Sequence, residues 1–142
     1  MIIIRTAKDT DYQQIVKLYN DFVGEDRYSK KDNDSFHKVL RSRSNFIFVA
    51  QDKNNLVGFA TFSIRNVTRY KRPIAELDEM YVDTNYRGKG IGKRLMSEVE
   101  KQAKKLNCYR LYIESQYKHT LGHKLYESLG YKNYGYHFFK NL

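Results

Sequence analysis

Apolar positions recur along this chain at two periods, every second residue and every third to fourth, with polar or glycine-rich breaks between them. Ile2 to Arg5 predicts a first strand. Thr10 with Gln13 has the form of a capping box, ahead of an apolar stripe at Tyr12, Ile15, Val16, Tyr19, Phe22 and Val23. That stripe predicts a helix, which Gly24 can end. Residues 24 to 33 are polar and read as a loop. Asp34 or Ser35 can cap a short second helix with Phe36, Val39 and Leu40 inward.

Asn45 to Ala50 predicts the second strand, and Asp52-Lys53-Asn54-Asn55 is turn chemistry. Leu56 to Ile64 then returns as a third strand in a hairpin, and Ile74 to Val82 is a fourth. Ile91, Leu95, Val99, Ala103 and Leu106 share one face of a third helix. Tyr109 to Glu114 predicts a fifth strand. Leu121, Leu125 and Leu129 mark a fourth helix stopped by Gly130. Tyr131 to Tyr134 and Tyr136 to Lys140 predict a closing hairpin pivoting at Gly135. The order β-α-α-β-β-β-α-β-α-β-β is a mixed α/β (α+β) class, with about seven strands, mostly antiparallel, and about four helices in one domain over residues 1–142.

Composition narrows the setting. No apolar run approaches the roughly 20 residues of a membrane span. The single cysteine, Cys108, has no internal disulfide partner, so a cytoplasmic location is expected. The net charge of +10 raises the question of nucleic acid. The basic residues are scattered, at Lys30-Lys31, Arg41 and Arg43, Arg69 to Arg72, and Lys101 to Lys105, with no nucleic-acid motif among them. They read as a solvated surface that also attracts a polyanionic cofactor, with nucleic acid not expected as a partner.

The chemistry concentrates at Tyr86-Arg87-Gly88-Lys89-Gly90-Ile91-Gly92-Lys93, between the fourth strand and the third helix. Three glycines allow a tight turn, and successive N–H groups at a helix start favour phosphate oxygens. A P-loop would need Gly-Lys-Ser/Thr, but Lys93 is followed by Arg94. A Rossmann fingerprint would need a glycine at Lys93. Arg87-x-x-Gly90-x-Gly92 instead resembles the acetyl-CoA pyrophosphate loop of the GNAT N-acetyltransferase family, Q/R-x-x-G-x-G/A. Leu125-Tyr126-x-x-x-Gly130-Tyr131 resembles the same family's motif N-x-x-A-x-x-L-Y-x-x-x-G-F/Y, with His119 at the asparagine and Gly122 at the alanine.

This resemblance, which runs along nearly the whole chain, implies the GNAT fold and an acetyl-CoA-dependent N-acetyltransferase. It implies cofactor contacts from Met80, Tyr81 and Val82, from Arg87, Gly88, Lys89, Gly90, Ile91, Gly92 and Lys93, and from His119 and Tyr126. It implies Tyr126 as the acid that protonates the leaving thiolate, and the Met80 N–H as oxyanion donor. Glu76 and Asp78 occupy the positions of the base in two branches of the family, and alternation places them on one strand face with Glu79 on the other. Surface acids at a strand end are the plain reading of all three. Glu25, Asp26 and Tyr28 lie in a loop that often lines the acceptor site, and with Glu79 they are candidate substrate contacts; a solvated loop is the alternative. Tyr134, Tyr136, His137 and Phe138 could line the acceptor side, the core or a homodimer contact. His119 and His123 stand four apart, but without HExxH or a third ligand no metal is expected. The expected partners are acetyl-CoA and a primary amine, with a small cationic amine slightly favoured. A non-catalytic acyl-CoA-binding or regulatory module of the same fold is the alternative.

Overall fold

A computed structural model of the protein describes residues 1–28 and 33–142. Residues 29–32 of the expected loop, with Lys30-Lys31, lie outside the described residues. Among the described residues the strands are β1 (Ile2–Thr6), β2 (Asn45–Asp52), β3 (Asn55–Arg65), β4 (Ile74–Val82) and β5 (Leu111–Ile113). The helices are α1 (Tyr12–Val23), α2 (Asp34–Arg41), α3 (Ile91–Lys105) and α4 (Thr120–Ser128). The strands form one sheet in the order β1-β2-β3-β4-β5. Each neighbouring pair is antiparallel except β4–β5, which is parallel. No helix of the described residues is long and apolar enough to cross a membrane.

The sheet has an apolar layer on each side because its inner strands carry apolar residues on both faces. On one side Phe62 and Leu77 of the sheet meet Ile91, Leu95, Met96 and Val99 of α3, with Tyr126 of α4 and the following Leu129 against them. On the other, Ile15, Leu18, Phe36, Val49, Phe59 and Tyr81 pack beneath α1 and α2. Burying one such side chain fully contributes about 1.5–3 kcal/mol. The α3 stripe holds at Ile91, Leu95, Val99 and Ala103, while Leu106 falls at the helix end and is half exposed. In α4, Leu121 is exposed rather than buried.

Two other expectations change. The start of α1 is organised by Asp11 rather than by Thr10 and Gln13. Asp11 is buried, accepts from the Lys8 N–H at 2.7 Å, and pairs with Arg5 at 2.7 Å. The Arg5 guanidinium and the Lys8 N–H outweigh the effect of burial and hold its carboxyl below the usual range.

The closing hairpin does not form, so the sheet has five strands rather than about seven. Gly130 at φ 87° turns the chain, and Tyr131 is anchored by its hydroxyl donating to Glu100 at 2.7 Å. Beyond it Tyr134, Tyr136, Phe138 and Phe139 are 74–94% exposed. β5 is only three residues long. It offers little backbone to pair with, and a hairpin that buries no apolar face is marginal in water.

Candidate active site

β4 is nine residues long but pairs with β5 only at Ala75, Glu76 and Leu77. Beyond Leu77 the two strands part, and the β5 side of Asp78 to Val82 has no strand against it. This slot leads from the carboxylates of β4 to the glycine turn that opens α3.

Gly88 and Gly90 hold φ of 74° and 76°, a left-handed region that glycine adopts without strain. Gly90 is the N-cap of α3 and supplies no side chain. The N–H groups from Gly88 to Lys93 have no backbone partner outside the helix, the first main-chain bond being Arg94 N to Gly90 O at 3.0 Å. They form a row of donors at the positive end of a 15-residue helix, which suits a pyrophosphate. Arg87 turns back, its Nε donating to Val82 O at 3.0 Å and its guanidinium 5.5 Å over the Tyr81 ring. Lys89 donates to Asn85 O at 3.2 Å and sits 4.8 Å over the Tyr86 ring. Tyr81 is buried in the α1-side core. Met80 and Val82 lean toward the α3 side.

Tyr126 stands beside this turn, one residue after Leu125, which packs on Gly92. Burial pushes the Tyr126 phenol up to about 12. Its hydroxyl has no hydrogen-bond partner among the described residues. Gly122 faces the Tyr126 ring, and a Cβ there would lie 3.5 Å away, an ordinary contact. His119 precedes α4 and its ring lies 5.3 Å from Phe22 of α1. Burial, then Lys118 and His123, lower its pKa.

The carboxylates differ from the alternation expected of a regular strand. Glu79 is opposite Thr61 and Leu77 is opposite Phe62, so Asp78 is the extra residue of a β-bulge. Glu76 is opposite Ser63, and Thr61 and Ser63 share one face of β3. Glu79 therefore lies on the same face as Glu76, not the opposite one. Asp78 joins them, accepting from Ser63 Oγ at 3.2 Å. Surrounding protein, then the charges of Glu76, Glu79 and Glu114, push Asp78 up to about 6, although its side chain still meets solvent. Glu76 is engaged by Arg65 at 3.3 Å. Glu79 lies beside Tyr19, whose phenol is raised well above its usual value by burial and then by that carboxylate.

Of the loop candidates, Tyr28 packs its ring 5.6 Å from Tyr19 and so borders the carboxylate face. Asn20 holds it there, accepting from the Tyr28 N–H at 2.8 Å. Glu25 is paired with Arg27. Glu25 and Asp26 line a separate open cavity of about 660 Å³ between the end of α1 and Tyr81 to Asn85, so they are not brought to Asp78. Glu114 and His137 reach the edge of the carboxylate face, with His137 Nδ1 3.8 Å from Glu114. Ligand atoms of Glu76, Glu114 and His137 lie within 4.8 Å of one another. Arg65, Ser63, Tyr19, Asn20 and Glu114 carry no local signal in sequence, since only strand register and the packing of α1 bring them here.

The model of the acetyltransferase (GNAT) family matches residues 12–131. The chain is 29% identical over 133 residues to the Drosophila melanogaster protein named "Probable glucosamine 6-phosphate N-acetyltransferase", covering 90% of this chain and 59% of that one. It thus spans about three fifths of that relative's length. A solved structure of a transcriptional regulator from Bacillus halodurans overlays with a TM-score of 0.92 at 22% identity, covering 100% of both chains. An aminoglycoside acetyltransferase from an uncultured soil metagenomic sample overlays with a TM-score of 0.88 at 21% identity, covering 99% of this chain and 96% of that one. The structural likenesses show the fold, and the family model, matching well over half of the residues, shows descent. With its glycine cradle, parted strands and paired motifs, this chain belongs to the GNAT acetyltransferase family.

Proposed function

We propose that this protein transfers the acetyl group of acetyl-CoA to a primary amine by direct attack in a ternary complex. The observation that carries the reading is the parting of β4 from β5 beyond Leu77. It leaves a slot with the donor row of Gly88 to Lys93 at one end and the Asp78 carboxylate at the other. The cradle takes the pyrophosphate, and the slot takes the pantetheine arm beside Met80, Tyr81 and Val82.

The amine arrives as a cation on the face of Glu76, Asp78 and Glu79. Asp78 is the base: with Glu76 held by Arg65, it is the carboxylate whose pKa, about 6, suits proton removal near neutrality. It takes the ammonium proton directly or through one water. The amine nitrogen bonds to the thioester carbonyl carbon, and the Met80 N–H meets the developing oxyanion. As the C–S bond breaks, the Tyr126 hydroxyl gives its proton to the sulfur; the new amide nitrogen sheds its surplus proton through water, which restores the Tyr126 phenol, and Asp78 returns its own proton to solvent. No serine or cysteine near the site is activated as a nucleophile; Cys108 has its pKa raised, chiefly by burial. We read the location as cytoplasmic, and the exposed aromatic segment after Tyr131 as a contact with a second copy.

Calorimetric titration with acetyl-CoA, beside CoA and ATP, tests the cradle. Thiol release on adding amines tests the transfer. Selective binding with turnover supports the reading. Equal binding of ATP removes the cradle assignment, and selective binding with no acceptor leaves an acyl-CoA-binding regulatory module.

A further inference from the structure

A second charged surface adjoins the carboxylate face, and the reaction above does not use it. The segment between β3 and β4 and the residues before β5 lay three arginines on three tyrosine rings. Arg69 lies 4.8 Å from the Tyr70 centroid, and Arg72 5.7 Å from that of Tyr109. Arg110 lies 5.2 Å from the Tyr109 centroid and 5.8 Å from that of Tyr112. The arrangement converges on one point. Arg69 Nη2 donates to the Tyr70 hydroxyl at 3.1 Å, and Arg110 Nη1 donates to the Tyr112 hydroxyl at 3.4 Å. Those two hydroxyls are 3.4 Å apart.

Among the described residues, Arg69, Arg72 and Arg110 have no carboxylate partner. A guanidinium carries five donors, and the contacts here use only a few of them. Stacking on a ring fixes the guanidinium plane while leaving its N–H edge open. Two preset forks beside two hydroxyls match an oxyanion, which guanidinium binds in bidentate fashion.

The position gives this cluster a substrate. Tyr112 stands opposite Glu76 in the parallel register, so its ring shares the face that holds Glu76, Asp78 and Glu79. Across adjoining strands the surface passes from carboxylates to unpaired guanidiniums. A polycation would be repelled at the arginine end, and a plain monoamine would leave that end unused. A molecule with an amine at one end and an oxyanion at the other satisfies both.

We propose that Arg69 and Arg110, set by Tyr70 and Tyr112, form an anion subsite for a phosphate-type oxyanion on the acceptor, whose class is therefore a primary amine bearing a negatively charged group. This rests on the reading of the Asp78 face as the acceptor site. The amine lies toward Asp78 and the oxyanion toward the arginines, so the subsite selects the acceptor and points its nitrogen into the slot.

The test compares ω-aminoalkyl phosphates of increasing chain length with the matching aminoalcohols as acceptors. The phosphates are preferred about tenfold or more in kcat/KM, the worth of one charge-assisted contact. The double variant Arg69→Gln/Arg110→Gln loses that preference through KM, while turnover of the aminoalcohols and the KM for acetyl-CoA stay as they were. Equal use of both series by the native protein overturns the proposal. A second measurement is independent of turnover: inorganic phosphate is titrated into CoA-saturated protein and the tyrosine ring resonances are followed. Shifts at Tyr70 and Tyr112 that vanish in the double variant support the subsite; should no amine be acetylated, the transfer reading then fails alone. Absence of those shifts overturns the subsite and leaves acetyl transfer standing. Binding of a single-stranded oligonucleotide to the CoA-loaded protein through the same arginines, far tighter than phosphate, overturns it in favour of a polymer surface.

Discussion

Gly92 and Leu125 meet where the first turn of α3 touches α4: a Cβ added at Gly92 would stand 3.0 Å from Leu125 Cδ2. The first turn of α3 is thereby pressed against the residue preceding Tyr126. Gly92→Val sets two further methyl groups against Leu125, where even a bare Cβ already makes a tight contact, and is expected to destabilise the fold by about 1–3 kcal/mol, the usual cost of overpacking. It also displaces Tyr126 and lowers kcat. Leu125→Ala in the same chain recovers part of the stability loss. Chemical denaturation of the single and double variants checks this, and additive losses would show that the two residues are not coupled.

Gly90 sits at φ 76° as the N-cap of α3. Gly90→Asp forces a side chain into a left-handed backbone position and sets a negative charge against the phosphates. Acetyl-CoA binding by calorimetry is expected to disappear, with a folded protein confirmed by circular dichroism. Unchanged affinity would remove the cradle assignment.

As the proposed base, Asp78 acts only when ionised, so kcat/KM is expected to rise with pH through about 6 and then level off. Asp78→Asn flattens that limb and lowers the rate. It also separates activity from stability. The folded-state pKa of Asp78 lies above its unfolded value, so the folded protein binds more protons between the two, and the native chain loses stability as pH rises from about 4 to about 6. Asp78→Asn escapes that loss. Its melting temperature relative to the native protein climbs over this window and stays level above it. A variant that melts lower at neutral pH would contradict the crowding of Asp78 by Glu76, Glu79 and Glu114.

Tyr126→Phe removes the proposed proton donor while keeping the ring in its apolar contacts. The expected loss in kcat is about 100-fold or more, with acetyl-CoA affinity unchanged. The phenol, held up to about 12, stays protonated through the working range, so the native rate shows no fall from Tyr126 below about pH 10. Equal kcat in the variant would remove the acid role.

The exposed aromatic segment gives a prediction about assembly. Sedimentation is expected to show a dimer, and truncation after Lys132 a monomer of intact fold. A monomeric native protein would leave Tyr134, Tyr136, Phe138 and Phe139 without the proposed contact.

What the sequence alone determined was local in its physics. A left-handed glycine at a helix start, an apolar stripe at helical spacing and a tyrosine four residues before a helix-ending glycine all depend on residues within a turn or two of one another. So the four helices, β1 to β4 and the glycine turn that opens α3 were legible before any fold was drawn. Tertiary structure alone decided the rest. The bulge that turns Glu79 onto the face of Glu76 and Asp78 is a matter of register between β3 and β4. The capture of Glu76 by Arg65 and the meeting of the Tyr70 and Tyr112 hydroxyls join segments brought side by side only by the sheet. The aromatic alternation after Tyr131 is a strand pattern, yet pairing needs an edge and a covering layer, and β5 is too short to supply them. A strand's tendency lies in its own residues, whereas its partner and the direction its charges face are set by the rest of the fold.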